Sequence, residues 1–192
     1  MAGLGSLAKT KATRVLGIDC STNTLAYAVF DRKVPVRCGE VMFKGDTVYQ
    51  RLADAHKKIP PLVASGVLKA DYIAFEGAFL GPNPQVGLAL AYVYGAVMGG
   101  LMDAGMEVVS VTPISWQTFI GNPNLKAPEK LLLRQQNPNK SESWYKNAGR
   151  EMRKQRTLSW ARQHFTISTN SDNVGDAVGI AWFAVHKLTT GV

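Results

Sequence analysis

The sequence predicts an α/β fold: a mixed five-stranded sheet, built from an antiparallel three-strand meander plus two parallel strands, flanked by helices. Three observations predict it. The apolar runs Val15–Asp19, Leu25–Phe30 and Val36–Phe43 follow one another with only turn residues between them, the pattern of a meander. Two further strand-like runs, Tyr72–Glu76 and Glu107–Val111, alternate with helical segments, which implies parallel pairing through helical crossovers. Beyond Val111 the chain reads as helices interrupted by one basic loop.

Each element has a local reason. Val48, Leu52, Ala55, Ile59 and Leu62 recur at helical spacing between residues 45 and 64, and Pro60-Pro61 should break or kink that helix late. After the Gly81-Pro82-Asn83-Pro84 loop, a long uncharged helix runs to about Ala104. Thr112 and Pro113 supply an N-cap and a first-turn proline for a short helix through Trp116 to Ile120. The basic segment then forms a loop and a helix from about Glu142 to His164, and a last helix runs from near Ser171 through Asp176 to about Lys187.

With 192 residues and 46% apolar content, the chain has the size of one compact domain. Residues 1–13 read as a flexible tail without the apolar run of a secretory signal, and residues 14–192 as a single domain with a basic insertion at about 122–156. Cys20 and Cys38 stand in no C-x-x-C pair, which fits a reduced, intracellular compartment and argues against zinc. Val86–Met102 is 17 residues without a charge and contains Gly95-x-x-x-Gly99; it is short for a span and has no basic flank, so it reads as a buried helix and no membrane partner is expected.

The net charge of +8 indicates a polyanionic partner, nucleic acid first. Between Lys126 and Phe165 there are ten basic residues against three acids, nearly the whole excess, so the contact should be concentrated on one face. Lys146, Arg150, Arg153 and Lys154 fall on one helical face, with Arg156 close behind, an arrangement suited to successive phosphates. Trp144 and Tyr145 could stack on exposed bases. A solvated surface helix is the plainer reading of the same spacing.

Four acids are the candidate chemistry. Asp19 and Glu76 each end a strand that should be central, at the end of an α/β sheet where ligands bind. Asp172 and Asp176 project about one turn apart from one face of the last helix. Asp172 could simply serve a helix N-terminus; Asp176, followed by Ala-Val-Gly-Ile-Ala-Trp, points to the core or a site. Converging from two strands and a helix, these carboxylates would make an oxygen cage suited to two Mg²⁺ ions, with Mn²⁺ able to substitute, and so to phosphodiester hydrolysis.

The segments Val15-Leu-Gly-Ile-Asp-Cys-Ser-Thr, Ile73-Ala-Phe-Glu-Gly-Ala-Phe79 and Asp172-Asn-Val-Gly-Asp-Ala-Val-Gly-Ile-Ala181 resemble, in order and separation, the three signature blocks of the RuvC-type crossover junction resolvases, especially phage-type members. The resemblance implies an RNase H-like fold and a homodimer that places paired nicks across a four-way DNA junction, in recombination or repair, in the cytoplasm of a cell or of a phage's host. It implies metal-ligand roles for Asp19, Glu76 and Asp176, and contact with junction bases for Phe79. Cellular members carry the penultimate ligand where Asn173 stands here; Asp172 is favoured for that role, with Asn173 an alternative through its amide oxygen. The family's dimer helix falls on the uncharged helix, where Gly87, Ala91, Gly95 and Gly99 would permit close approach; packing on the protein's own sheet is the other reading. The basic insertion has no counterpart in the family pattern.

Two other classes compete. Leu16-Gly-Ile-Asp-Cys-Ser-Thr-Asn-Thr also looks like the first phosphate loop of actin-like and sugar-kinase ATP-binding proteins, but the chain is short for two such domains and shows no convincing second loop. A non-catalytic branched-DNA-binding protein would not need four mutually repelling carboxylates.

Overall fold

The computed structural model describes residues 14–77 and 84–190. The expected N-terminal tail and Phe79 lie outside the described residues. β1 (Arg14–Cys20), β2 (Thr24–Asp31) and β3 (Val34–Met42) form the antiparallel meander, and β4 (Tyr72–Glu76) and β5 (Glu107–Val111) extend it in parallel beyond β1, giving the order β3-β2-β1-β4-β5. This is the mixed sheet that the sequence predicts. Val15, Leu16 and Ile18 of β1 are all buried because the strand lies mid-sheet with helices on both faces, which is why it reads as a continuous apolar run. Its register with β4 pairs Ile18 with Phe75, so the next residues, Asp19 and Glu76, emerge side by side at one sheet end.

α1 (Val48–Ala64) and α2 (Pro84–Met102) cover one face. α1 starts in a capping box, Thr47 Oγ1 accepting from Gln50 N–H while the Gln50 side chain accepts from Thr47 N–H. Pro60 and Pro61 do not break it: both are exposed near its end, and the carbonyls they leave unbonded belong to His56 and Lys57, which are also exposed to water. α2 is the one helix among the described residues long and apolar enough to cross a membrane. It packs inward through Val93, Val97 and Leu101, while Val86, Leu88 and Tyr92 are exposed and nothing lies within 4 Å of where a Cβ on Gly95 or Gly99 would stand.

The other face carries α3 (Pro113–Phe119), α5 (Glu142–His164) and α6 (Asp172–Thr190). α6 crosses β1 at Gly17, where an added Cβ would fall 2.5 Å from Ala177 O and 2.6 Å from Ala181 N. Between α3 and α5 the chain forms a helix where the sequence suggested a loop. α4 (Ala127–Gln136) has a proline in its first turn, and Glu129 closes its start by accepting from Lys126 N–H at 2.7 Å. It has no fully buried residue, which is why apolar periodicity does not reveal it.

Gly17→Ala should therefore be costly, because both neighbours are α6 backbone and must move. A loss of about 1–3 kcal/mol, or roughly 2–10 °C in Tm, is expected in thermal unfolding. An unchanged Tm would show that α6 can yield at this crossing.

Candidate active site

Asp19, Glu76 and Asp176 meet in one open cleft of about 940 Å³, which Asn173 also lines. The first two reach it from the paired ends of β1 and β4, and Asp176 from one turn inside α6. Opposite them stand cations: Lys146, Arg150, Arg153 and Lys154 of α5, the four that share a helical face, together with Lys130 and Arg134 of α4. In the sequence those last two count among the ten basic residues between Lys126 and Phe165, without a helix to place them.

Asp172 does not line the cleft with the other three acids. Its carboxylate accepts a hydrogen bond from Lys154 Nζ at 2.6 Å, and its other oxygen accepts from Asn173 N–H at 3.1 Å. Arg156 turns to the other side of α5 and pairs with Glu129 at 2.7 Å. Tyr145 is engaged within the protein: its hydroxyl donates to Asn137 O at 2.5 Å, and the Arg134 guanidinium lies 4.6 Å from its ring centroid. Lys140 stands 5.7 Å from the Trp144 ring.

Two further residues support the acids, and neither is evident from sequence spacing. Trp116, fully buried on α3, donates from Nε1 to Glu76 Oε2 at 2.9 Å. Its ring fits because position 179 is glycine; a Cβ there would lie 2.7 Å from Trp116 Cζ3. Glu40 of β3 accepts from Ser171 Oγ at 2.6 Å, and Ser171 Oγ in turn accepts from Val174 N–H, so the first turn of α6 is tied to the far side of the sheet.

The electrostatics are those of a site short of positive charge. Burial pushes the Asp176 carboxyl up to about 8, with the charges of Asp19, Glu76 and Asp172 adding to the effect and Lys154 opposing it. Burial likewise raises Asp19 to about 6, reinforced by Glu76 and Asp172 and opposed by Lys154 and Arg150. Glu76 is raised by burial despite its Trp116 hydrogen bond and the nearby Arg150 and Arg153. Burial would also raise Asp172, but the Lys154 bond and charge hold it below the usual carboxylate range.

Among the described residues, no three His, Cys, Asp or Glu side chains are already drawn together as a metal cluster. The donor set nonetheless suits a hard divalent cation: it is all oxygen, and burial, with the acids' mutual repulsion adding to it, raises Asp19 to about 6 and Asp176 to about 8, a cost that a bound cation would offset. Asp19, Glu76 and Asp176 could hold such an ion, with Asp172 or Asn173 Oδ1, which accept from Lys154 Nζ at 2.6 and 3.5 Å, as a further donor once released.

Comparison by sequence finds RuvC proteins, and comparison by structure finds a similar fold in RuvC and in a further Holliday junction resolvase. The chain is 31% identical over 117 residues to a crossover junction endodeoxyribonuclease RuvC of Chromohalobacter salexigens, covering 59% of each chain. It is 28% identical over 127 residues to that of Chlorobium phaeovibrioides, covering 62% of this chain and 65% of the relative. The chain thus spans about three-fifths of the length of the curated relatives it matches. No family model matches. Thermus thermophilus RuvC in complex with a Holliday junction substrate superposes with a TM-score of 0.60 at 14% identity, covering 88% of this chain and 91% of that one. The yeast mitochondrial Holliday junction resolvase Ydc2 does so at 0.54 and 12%, covering 97% and 84%. The mixed sheet with its flanking helices is the RuvC form of the RNase H-like fold.

The raised carboxyls make stability depend on pH. Asp176 keeps its proton in the folded protein up to about 8 but loses it near 3.8 when unfolded, so its contribution to stability is full below about 4 and is lost as the pH rises toward 8. In chelator, Asp176→Asn should raise Tm at pH 8 by more than about 4 °C, and the gain should vanish toward pH 4. Thermal unfolding across that range checks it; a gain independent of pH would mean that burial of charge is not the cause.

Proposed function

We propose that this chain, RuvC-like in sequence and in fold, is a metal-dependent endonuclease that resolves four-way junctions and related branched DNA by paired nicks. The observation that carries the reading is the pairing, in one cleft, of a carboxylate floor with a wall of lysines and arginines. The floor suits a divalent cation and the wall suits phosphates. Neither half alone would account for the other.

Mg²⁺, with Mn²⁺ as a substitute, would be held by Asp19, Glu76 and Asp176, with Asp172 or Asn173 as the further donor. Two such ions would supply Lewis-acid activation of water and stabilisation of the leaving oxygen. The chain's own residues do the rest. Trp116 holds Glu76 in one orientation at the end of β4. Lys154, bonded to Asp172, offsets negative charge beside Asp19 and Asp176. Arg150 lines the cleft and would draw a phosphodiester toward a floor that would repel it, while Arg153, which also lines it, donates to Gln117 Oε1.

Paired nicks need two active sites. The outward face of α2, with open space beside Gly95 and Gly99 and with Leu88 and Tyr92 exposed, supports a homodimer through this helix. Such an enzyme would work in recombination or repair in the cytoplasm, whether cellular or phage-encoded. One observation favours a second reading, a protein that binds branched DNA without cutting it: Lys154 holds Asp172 at 2.6 Å, outside the cleft that the other three acids line.

Cleavage of four-way junction, flap, duplex and RNA–DNA hybrid substrates, with Mg²⁺ and with chelator, separates these readings. The junction should be cut only with metal, and Asp19→Asn or Asp176→Asn should lose on the order of 100-fold or more in rate while still binding it. Junction binding by the wild type without cleavage in either Mg²⁺ or Mn²⁺ would leave the binding protein. Asp172→Asn and Asn173→Ala, compared by Mg²⁺ titration, should differ, the further ligand being the one whose loss raises the half-saturating concentration about tenfold or more.

A further inference from the structure

The insertion at about 122–156 is a braced helical hairpin, tied at three levels. At its base, buried Asn122 donates from Nδ2 to Arg153 O at 2.8 Å and to Thr157 Oγ1 at 3.0 Å, while Leu125 packs 3.0 Å from where a Cβ on Gly149 would stand. In the middle, Glu129 joins α4 to Arg156 of α5 at 2.7 Å. Near the tip, Arg134 and Glu142 form two parallel hydrogen bonds of 2.7 Å each, and Tyr145 bonds back to Asn137 O. Single exposed ion pairs contribute little, but a bidentate pair combined with a buried amide fixes a geometry.

This hairpin gives the cleft a second wall. Val86 and Leu90 of α2 line one side, and Leu133, Lys130, Lys146 and Arg150 of the hairpin line the other, with the acids on the floor between them. A duplex lying on a surface presents phosphates and sugars, so it would use the cations and leave the aliphatic lining idle. An unpaired strand presents phosphates and unstacked base faces together, and it is thin enough to reach a floor between two walls. We propose that the α4–α5 hairpin is a preformed clamp for one unpaired DNA strand, its cations holding the phosphates and the aliphatic walls of the cleft receiving the bases. This rests on the nuclease reading only for what happens next: the clamp would deliver a strand opened at a branch point to the acids.

The test is binding by the full chain in chelator, so that it does not depend on cleavage. The probes are a fluorescent 20-nucleotide oligo-dT and a blunt duplex of the same length. Wild type should bind oligo-dT at least tenfold more tightly than the duplex. Lys130→Glu with Lys146→Glu should weaken oligo-dT binding more than tenfold and flatten its salt dependence by about 1.4 in log–log slope, the share of two single-strand phosphate contacts. Lys57→Glu with Lys69→Glu, which makes the same change in net charge on the opposite side of the molecule, should weaken it less than threefold. Matching thermal unfolding of both variants would exclude misfolding. Equal affinity for oligo-dT and duplex, or equal losses in the two double variants, would overturn the clamp. The nuclease reading would remain open to its own cleavage assay.

Discussion

The crossing of α6 over β1 at Gly17 is the contact on which the site depends. Without a side chain at that position, the helix backbone comes down onto the central strand. Asp19 lies two residues further along the strand, and Asp176 immediately precedes Ala177, whose carbonyl meets the glycine. Two carboxylates 157 residues apart in sequence are thereby held in one cleft. Register does the same for Glu76, because the parallel pairing of β1 and β4 fixes which residues leave the sheet together.

That geometry works against the electrostatics of the acids it gathers. Burying acids near one another costs stability unless they are protonated or neutralised, and both Asp19 and Asp176 retain protons well above the ordinary carboxylate range. Lys154 relieves part of the strain, chiefly at Asp172. Arg150 opposes the rise at both Asp19 and Glu76, and Arg153 that at Glu76. Local stability is given up where the fold concentrates negative charge.

The sequence carried the parts of this arrangement that are local. Strand ends mark Asp19 and Glu76, helical periodicity gathers Lys146, Arg150, Arg153 and Lys154 on one face, and the apolar run after Asp176 turns that residue inward. It could not carry contacts made across the fold. Nothing in the spacing of Trp116 and Glu76, 40 residues apart, announces their hydrogen bond, and Lys154 and Asp172 find each other only when α5 packs on α6. α4 escaped for another reason: it stands away from the core, so its sequence lacks the buried stripe by which a helix is usually recognised.

The Trp116–Glu76 bond has a consequence for which sequences this fold can accept. A large, fully buried core position ordinarily drifts among aromatic and aliphatic residues, since volume is what packing rewards. Here the same side chain fills the core and presents the one indole N–H that holds a carboxylate of the cleft, while Gly179 leaves room for its ring. Phenylalanine would fill much of the space and still leave Glu76 without its donor. Position 116 is thus answerable to the cleft as well as to the core, and evolutionary drift at 179 is bound by the same requirement.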